Sequence, residues 1–362
     1  MTVAGIVTIN DGGNYGNRLQ NYALSMILSR RKFKVITINT YDNCNSRQRY
    51  VLRRVKNVLR SIERLLLSKR SLAYSRLCSF SRFTAKYVPD NRAYLFSAKG
   101  ITSCREKIDF IVLGSDQIWN PNFISSECLK LRLGAFASEG YIFSYAASFG
   151  VSEIIGNDIR DIFKTYLPRI SAISVREDRG KELVKELSGQ DATVVLDPTL
   201  MLGAVEWLKI TKGFVPENDR YILTYFLGKP SPEQEHIIQA KARELGCRVR
   251  RILDENDPET YVAGPEDFVE LFSKAQYVFA DSYHACCFSI LFHKQFTVFN
   301  RAGTAGKSNM NSRMETLFRL FNLDSVMMDS GLAPEIDYVK VDQLLEQHRK
   351  ESQGWLDKTL KE

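Results

Sequence analysis

Strand-like apolar runs alternate with segments of helical periodicity along almost the entire chain. Strands separated by single helices pair in parallel, because each helix carries the chain back over the sheet in a right-handed crossover. The alternation therefore predicts an α/β fold built on parallel sheets. The strand-like runs are AGIVTI (4–9), KVITINT (34–40), DFIVLGS (109–115), YIFSYAASFG (141–150), ISAISVRE (170–177), TVVLDPT (193–199), RYILTYFLG (220–228), CRVRRIL (247–253), YVFADS (277–282) and FTVFN (296–300).

The length of 362 residues is enough for two domains of ordinary size. Pro and Gly follow a buried strand between Asp197 and Trp207, which is typical of a domain boundary. We predict two Rossmann-like domains facing each other across a cleft, over residues 1–200 and 201–340. Residues 341–362 are polar with a helical pattern, and this C-terminal helix could pack against either domain.

The composition, 44% hydrophobic and 25% charged, is that of a soluble globular protein. No uncharged apolar run is long enough for a transmembrane helix, and the N-terminus lacks the features of a signal peptide, so a cytoplasmic location is expected. The seven cysteines form no CxxC pair, which argues against a zinc site or a disulfide framework. Adjacent Cys286 and Cys287 would point to different sides of a helix, so we interpret them as small buried residues.

The net charge of +8 is concentrated in one segment. Between Arg47 and Arg76 lie ten Lys and Arg residues against a single acid, Glu63. Apolar residues recur there at helical spacing, which predicts a basic amphipathic helix over residues 50–67 within a helical insert at about 47–100. Such a helix can lie on an anionic membrane surface or pack on the protein body with a solvated basic face. No nucleic-acid-binding motif accompanies it, so a nucleic-acid partner is not expected.

Ligands of open parallel sheets bind where strands end and helices begin, because free N–H groups and the helix dipole favour anions there. The first such loop is DGGNYGNRLQN (11–21), where Asn14, Asn17 and Arg18 offer hydrogen-bond donors at the start of a helix. It matches neither GxGxxG nor a Walker motif, so a dinucleotide or ATP site is not indicated. A tight strand-to-helix turn is the alternative.

The next strand-end loops carry a set of polar side chains around an aromatic ring. GSDQIWNPNF (114–123) resembles a sugar-contact set, although turn residues after a strand are the plainer interpretation. Arg176 in SVRED follows another strand and is a candidate anion ligand; a surface ion pair with Glu177 or Asp178 is the alternative. The candidates for contact with a sugar acceptor are Asn14, Asn17, Arg18, Ser115, Asp116, Gln117, Trp119, Asn120 and Ser148.

His284 is the best candidate for general acid/base chemistry. Among the four histidines it alone follows a buried strand, through the loop Asp281-Ser282-Tyr283, and opens a helix. Its pKa can be tuned around neutrality. A core histidine, with Asp281 or Ser282 serving only as a helix cap, is the alternative, and a metal ligand is the least favoured interpretation.

A late segment, GTAGKSNMNSRMETLFRLFNL (303–323), adds Lys307, Ser308, Asn309 and Arg313 beside the same sheet edge. None of the candidate loops brings an acidic pair or another set suited to a divalent cation, so no metal site is expected. Arg, Lys and His with few acids suit a small, highly anionic substrate.

In this order the loops resemble the polysaccharide pyruvyl transferase family over most of residues 3–325. The residues that carry the resemblance are NYGNRLQNYAL, DFIVLGSDQIWNP, SYAASFG, SVRE, VLDPTLML, DSYHACCFSILFHKQF and NSRMETLFRLFNL. The resemblance implies a GT-B-like fold, with acceptor bound to the N-terminal domain and donor to the C-terminal domain. It implies phosphoenolpyruvate as co-substrate, with no separate cofactor, and a cyclic pyruvyl ketal formed on a sugar during capsule, exopolysaccharide or cell-wall polymer synthesis.

Many family members carry Arg-Leu-His at the donor, where this chain has Ser282, Tyr283 and His284. The histidine carries over onto His284, whereas the arginine has no counterpart, and Lys294, Arg301, Arg313 and Arg176 are the cations that could replace it. We therefore expect His284 to be catalytic, with Asp116 contacting the acceptor hydroxyl. The expected donor-binding residues are Ser282, Tyr283, His284, Lys294, Arg176, Ser308, Asn309 and Arg313.

Acceptors in pathways of this kind are often sugars on polyprenyl diphosphate. The basic helix at 50–67 would then hold the enzyme peripherally at the anionic inner face of the membrane. Two other functions stay open from the sequence. One is a GT-B nucleotide-sugar glycosyltransferase, in which Asp281 would hold the ribose; the other is a non-catalytic glycan-binding subunit, suggested by the missing arginine.

Overall fold

The computed structural model describes residues 1–10, 13–40, 52, 55, 72–88, 93–102, 104, 107–137, 142–300, 311–329 and 331–361. These residues form two α/β units, each built around one sheet. The basic helix predicted at 50–67 lies outside the described residues, apart from Leu52 and Val55. Among the described helices, none combines the length and the apolar character needed to cross a bilayer.

The sheet of the first unit has eight strands in the described residues, in the order β4-β3-β2-β1-β5-β6-β7-β8. Every pair is parallel except β3 with β4. The central strands β1 and β6 are buried along their whole length, as expected for a parallel sheet covered on both faces. The strands are β1 (Val3–Thr8), β2 (Lys34–Thr40), β3 (Ala93–Leu95), β4 (Ile101–Thr102), β5 (Phe110–Leu113), β6 (Ile142–Ala147), β7 (Ala172–Val175) and β8 (Thr193–Val194).

The helices of the first unit connect or flank these strands. The first of them begins where the side-chain oxygen of Asn14 accepts a hydrogen bond from the N–H of Asn17 at 3.1 Å, which satisfies one free donor of the first turn. The helices are α1 (Tyr15–Arg30), α2 (Leu72–Tyr87), α3 (Ser126–Arg132), α4 (Asn157–Tyr166) and α5 (Asp178–Ser188).

Two short helices, α6 (Pro198–Met201) and α7 (Ala204–Leu208), lead into the second unit. Its five-stranded sheet has the order β10-β9-β11-β12-β13 with all pairs parallel. The strands are β9 (Tyr221–Tyr225), β10 (Arg248–Ile252), β11 (Tyr277–Ala280), β12 (Phe296–Phe299) and β13 (Met327–Met328). The helices are α8 (Pro232–Leu245), α9 (Pro258–Tyr261), α10 (Pro265–Lys274), α11 (Tyr283–Leu291) and α12 (Asn311–Phe321).

Local sequence signals explain why these helices begin and end where they do, and α8 is the clearest case. The Ser231 hydroxyl accepts from the N–H of Gln234 at 3.1 Å, while the Gln234 side chain accepts from the N–H of Ser231 at 3.0 Å. This reciprocal pair, with Pro232 in the first turn, fixes the start of the helix. Gly246 ends it at φ 59°, a left-handed conformation that favours glycine.

The last helix, α13 (Tyr338–Thr359), crosses from the second unit to the first. Near its start the Tyr338 hydroxyl donates to the carbonyl oxygen of Ser289 at 3.3 Å. Near its end the Ser352 hydroxyl accepts from the N–H of Leu196 at 3.0 Å, and the Trp355 ring lies 6.2 Å from the Tyr145 ring. The helix predicted over 341–362 thus begins three residues earlier and contacts both units.

A single buried cluster joins the two units. Tyr15 at the start of α1 stacks on Phe268 with 4.6 Å between ring centroids, and its hydroxyl donates to the carbonyl oxygen of Ala263 at 2.8 Å. Cys286 and Cys287 are fully buried in the same cluster, which confirms their prediction as packed core residues. The predicted α/β architecture of two parallel sheets is confirmed.

Arg76, the last cation of the basic segment, lies in α2 and packs against aromatic rings. Its guanidinium lies 5.0 Å from the centroid of the Tyr15 ring and 4.8 Å from that of Phe80, and its Nη2 donates to the carbonyl oxygen of Gly13 at 2.7 Å. Cation–π contact and the hydrogen bond hold α2 against Gly13, just before α1.

Candidate functional site

Strand ends of the first unit and helix starts of the second meet around one buried arginine. Arg176 follows β7 and is 1% exposed. Its Nη2 donates to Oδ1 of Asp116 at 2.6 Å and its Nη1 donates to Oδ2 of Asp197 at 2.7 Å. The guanidinium also lies 4.5 Å from the centroid of the Tyr283 ring. Loops after β5, β7 and β8 and the first turn of α11 therefore converge on Arg176.

Asp116 is held in a defined position from several sides. Its Oδ2 accepts from Nδ2 of Asn17 at 2.5 Å, and its backbone adopts a left-handed conformation with φ 64°. Burial alone would raise the pKa of Asp116, but the charges of Arg176, His284 and Arg313 outweigh burial and lower it to about 2. Asp116 is therefore an anion throughout the neutral range.

Gln20 supports the loop that carries Asp116. Its Oε1 accepts from the Ser115 hydroxyl at 2.5 Å and from the Ser115 N–H at 3.2 Å. Its Nε2 donates to the Thr8 hydroxyl at 2.8 Å and to the carbonyl oxygen of Asn17 at 3.0 Å. One buried amide thus ties together β1, the start of α1 and the loop after β5.

His284 lies in the first turn of α11 and faces the first unit. Its Nε2 is 3.8 Å from Oδ2 of Asp197, and its imidazole lies against the backbone of Gly16 in α1. Burial is the largest effect on the His284 pKa and lowers it, while the carboxylates of Asp197 and Asp116 act in the opposite direction. The imidazole is therefore held largely neutral near pH 7, beside carboxylates that favour its protonated form.

Arg313 in α12 brings a second buried guanidinium from the second unit. It is 6% exposed, and burial, followed by repulsion from Arg176, lowers its pKa to about 10, so it remains charged at neutral pH. The Gln117 amide lies 2.8 Å from Nη1 of Arg313 and 2.7 Å from Nδ2 of Asn120. The loop after β5 and the start of α12 therefore meet across the two units.

Glu177 is a buried carboxylate beside these arginines. Its Oε1 accepts from the N–H of Phe149 at 2.9 Å, and its Oε2 is 3.9 Å from Nε of Arg176. Burial raises the pKa of Glu177, and the charges of Arg176 and Arg313 offset this only in part. A surface ion pair of Arg176 with Glu177 or Asp178 was the alternative interpretation of this loop, whereas the structure buries Glu177 completely.

Five side-chain atoms of this site are buried without a hydrogen-bond partner among the described residues: Ser148 Oγ, Arg176 Nε, Glu177 Oε2, His284 Nε2 and Arg313 Nε. Buried polar atoms are normally paired, because each unpaired group loses its hydration without compensation. Their concentration at one place, with two guanidinium groups among them, suits a small polar ligand that carries negative charge.

The structure brings eight of the predicted site residues together. Those whose side chains line the cluster around Arg176 are Asn17, Asp116, Gln117, Ser148, Arg176, Tyr283, His284 and Arg313. Asn14, Ser115, Asn120 and Ser282 lie in the same loops, where the side chains of Asn14 and Asn120 cap helical turns. Ser308 and Asn309, with Arg301 and Lys307, lie outside the described residues.

Three predicted residues are placed differently. The Trp119 ring is fully buried against Phe149, and its N–H donates to the carbonyl oxygen of Arg132 at 3.2 Å, so it packs in the core and cannot stack on a sugar. Arg18 donates through Nε to the Thr84 hydroxyl at 2.9 Å, which turns its guanidinium toward α2.

Lys294 is the third residue that is placed differently. It follows the C-terminal end of α11, whereas His284 lies in the first turn of that helix. The carbonyl oxygen of Lys294 accepts a hydrogen bond from the Tyr338 hydroxyl. The nine residues of α11 span about 13 Å, so Lys294 lies near the N-terminal ends of the strands, away from the site. In the sequence Lys294 is only ten residues from His284, but α11 lies between them and places them at its two ends.

Asp197 was missed as a site residue, although its motif was part of the resemblance. Its Oδ1 accepts from the Thr199 N–H at 3.0 Å, as expected of a helix cap, while its Oδ2 binds Arg176. A carboxylate directly after a buried strand was the signal that could have revealed it. Among the described residues, no cluster of three or more His, Cys, Asp or Glu is arranged to hold a metal ion.

Two α/β units with parallel sheets, joined by a crossing C-terminal helix and facing each other over a buried polar site, define a GT-B-like fold. The particular family follows from the sequence match: residues 14–303 match the polysaccharide pyruvyl transferase family, and the chain belongs to it. The protein is therefore a transferase that acts on polysaccharide. A search of curated protein sequences gives no match.

Solved structures with a similar course of the chain have low sequence identity. An uncharacterized protein from Klebsiella pneumoniae is 10% identical, with a TM-score of 0.45 over 90% of this chain and 93% of its own. A putative UDP-N-acetylglucosamine 2-epimerase from Listeria monocytogenes is 11% identical, with a TM-score of 0.47 over 98% and 90%. The UDP-GlcNAc 2-epimerase from Neisseria meningitidis is 12% identical, with a TM-score of 0.44 over 97% and 94%.

Proposed function

We propose that the protein transfers the pyruvyl group of phosphoenolpyruvate to a sugar of a glycan as a cyclic ketal. The observation that supports this most directly is the pair of buried guanidinium groups, Arg176 and Arg313, beside His284. Phosphoenolpyruvate carries a carboxylate and a phosphate on one small carbon skeleton, and two guanidinium groups suit two such anionic groups.

His284 is the proposed acid of the reaction. A proton passes from its imidazolium to C3 of the enolpyruvate, which becomes a methyl group and leaves an oxocarbenium-like centre at C2. A sugar hydroxyl forms a bond to C2 and releases its proton, the C2–O bond to phosphate breaks, and a second hydroxyl closes the ketal. Of the two hydroxyl protons, one replaces the proton given to C3 and the other leaves with phosphate.

The surroundings of His284 support this role. The imidazole is neutral near pH 7 in the free protein because burial lowers its pKa. A bound anion next to it would favour the imidazolium, since an opposite charge raises the pKa of a base. Arg176 and Arg313 would stabilise the departing phosphate and the carboxylate through charge-assisted hydrogen bonds.

Asp116 is proposed to orient the acceptor and Arg176, not to remove a proton. With a pKa of about 2 it is a poor base, but its oxygens accept hydrogen bonds, as they do from Asn17 and Arg176. A sugar hydroxyl in contact with Asp116 would donate a hydrogen bond to it. Asn17 and Gln117 would add amide contacts on the acceptor side.

The acceptor is proposed to be a sugar of a polyprenyl-diphosphate-linked glycan in capsule or exopolysaccharide synthesis. This rests on the family and on the basic segment between Arg47 and Arg76, whose charge suits the anionic inner face of a membrane. A vesicle sedimentation assay would test the membrane part. Binding that does not depend on anionic lipid would contradict it.

The test of the donor compares phosphoenolpyruvate with UDP-sugars as substrates for the purified protein and a lipid-linked glycan acceptor. Release of phosphate with pyruvyl ketal in the product is expected. Release of UDP would instead indicate a glycosyltransferase, and acceptor binding without turnover of either donor would indicate a glycan-binding subunit. Asp281 gives the glycosyltransferase alternative no support, because its oxygens accept from the N–H groups of Leu227 at 2.6 Å and Gly228 at 2.9 Å.

A further inference from the structure

Among the residues that the structure describes, the charges in the buried site are unbalanced in favour of acids. Two arginines, Arg176 and Arg313, face three carboxylates, those of Asp116, Asp197 and Glu177. His284 adds no charge while its imidazole is neutral. If all three acids are ionised, the described side chains of the site carry a net negative charge before any ligand binds.

An anionic donor would meet repulsion in such a site. Phosphoenolpyruvate brings a carboxylate and a phosphate, and both keep their charge above pH 7.5 because the second pKa of a phosphate ester is about 6. Inside a protein, charges interact more strongly than in water, so each added negative charge favours the protonation of a neighbouring acid. The acid whose charge is held least firmly would take up the proton.

Glu177 is that acid. Asp116 and Asp197 are each joined to Arg176 by a direct hydrogen bond, whereas Oε2 of Glu177 lies 3.9 Å from Arg176 Nε and has no hydrogen-bond partner among the described residues. Its burial, without exposure to solvent, already raises its pKa. Protonation would also convert Oε2 into a hydrogen-bond donor, the form suited to an anionic ligand oxygen.

The polar and charged groups around Glu177 come from several of the described elements. The loop after β6 presents the Ser148 hydroxyl and the N–H groups of Phe149 and Gly150. Its own loop presents Arg176, α12 presents Arg313, and α11 presents the Tyr283 hydroxyl, whose pKa burial raises well above its ordinary value. The two arginines favour the carboxylate of Glu177, and a ligand that pairs with both would remove much of that effect.

We propose that Glu177 takes up a proton when an anionic donor binds beside Arg176 and Arg313, so that donor binding and protonation are coupled. The inference rests on the proposed function for the identity of the donor. Glu177 would then be a second residue of the site, besides His284, that gains and loses a proton. The alternative is that Glu177 only anchors the loop after β6 through the N–H of Phe149.

The test is calorimetric titration of the protein with phosphoenolpyruvate at pH 8 in two buffers of different ionisation enthalpy. The difference between the two observed enthalpies gives the number of protons taken up per ligand bound. We expect uptake by the wild-type protein and uptake reduced by about one proton in Glu177→Gln. Glu177→Gln keeps an oxygen for the Phe149 N–H and the shape of the side chain, which a role as loop anchor requires.

Glu182→Gln is the matched control, because it removes an exposed carboxylate from α5, which directly follows Glu177. Its proton uptake is expected to equal that of the wild type. The pH dependence of the affinity of the wild-type protein provides a second measurement. If one proton is taken up on binding, the affinity for phosphoenolpyruvate falls about tenfold for each pH unit above 7.5. This measurement stands even where Glu177→Gln does not fold.

The outcomes separate this inference from the proposed function. Absence of binding by phosphoenolpyruvate would overturn the proposed function and the coupling with it. Binding with an enthalpy that is independent of buffer would overturn the coupling alone. Uptake that is unchanged in Glu177→Gln would assign the proton to another group and overturn the role of Glu177.

Discussion

The imidazole of His284 lies so close to the backbone of Gly16 that a Cβ at residue 16 would overlap the ring. Gly16 belongs to the first turn of α1 in the first unit, and His284 to the first turn of α11 in the second. The position of the proposed acid is therefore set by contact between the two units, and a glycine is required where the two helices meet.

Gly16→Ala is expected to reduce pyruvyl transfer about a hundredfold, because the methyl group would displace the His284 ring and misplaced catalytic groups lose roughly that factor. The measurement is kcat for phosphate release from phosphoenolpyruvate, with folding verified by circular dichroism. Gly354→Ala in α13 is the control, since a Cβ there meets nothing within 4 Å. Full activity of Gly16→Ala would show that the ring tolerates displacement.

Arg176→Lys is expected to destabilise the protein by about 3–5 kcal/mol. A lysine amine cannot bind Asp116 and Asp197 as the planar guanidinium does, and the carboxylates would remain buried with a poor partner. Arg319→Lys is the matched control, because Arg319 pairs with Asp178 on the surface and such pairs contribute about 1 kcal/mol or less. The free energy of unfolding in urea would measure both, and equal losses would contradict the structural role of Arg176.

The sequence predicted the fold well because the periodicity of buried strands and amphipathic helices is local. Runs such as 4–9, 34–40 and 220–228 became strands, and their parallel pairing follows from the helices between them. No local periodicity in the sequence indicated the short strands β3 and β4 or their antiparallel pairing. The crossing of α13 to the first unit depends on tertiary contacts, such as that of Ser352 with Leu196, and could not be read from its polar composition.

The candidate site was predicted in part, because strand-end positions can be recognised but side-chain directions cannot. His284 and Arg176 lie at such ends and meet through Asp197. Trp119 lies in the same loop as Asp116 yet points into the core, since one residue of a turn can face the opposite side from its neighbours. Glu177 and Asp178 are adjacent acids, which is typical of a surface position. The complete burial of Glu177 depends on contacts with loops that are distant in the sequence, such as that with Phe149, and the local sequence does not show them.

His284→Gln is expected to flatten the dependence of stability on pH between 7 and 5. In the unfolded chain the His284 imidazole takes up a proton near its ordinary pKa of 6.5, whereas burial lowers that pKa in the folded protein. Lowering the pH through this range therefore favours the unfolded wild type, at a cost on the order of 1 kcal/mol. Urea unfolding at pH 7, 6 and 5 measures the difference, and parallel curves for the two proteins would contradict the burial of a neutral imidazole.

Arg313→Gln is expected to raise the KM for phosphoenolpyruvate about ten- to hundredfold, the loss that follows from removing one or two charge-assisted hydrogen bonds. Arg313 is a buried cation that α12 supplies to the site.

Arg319→Gln on the same helix is the control, because its exposed guanidinium pairs with Asp178 outside the site. Its KM is expected to stay within about twofold of the wild-type value, as for an exposed ion pair. A KM that is unchanged in Arg313→Gln would exclude contact with the donor and leave Arg176 as the cation that binds it. A KM that rises equally in both variants would point instead to a change in the packing of α12 against the first unit.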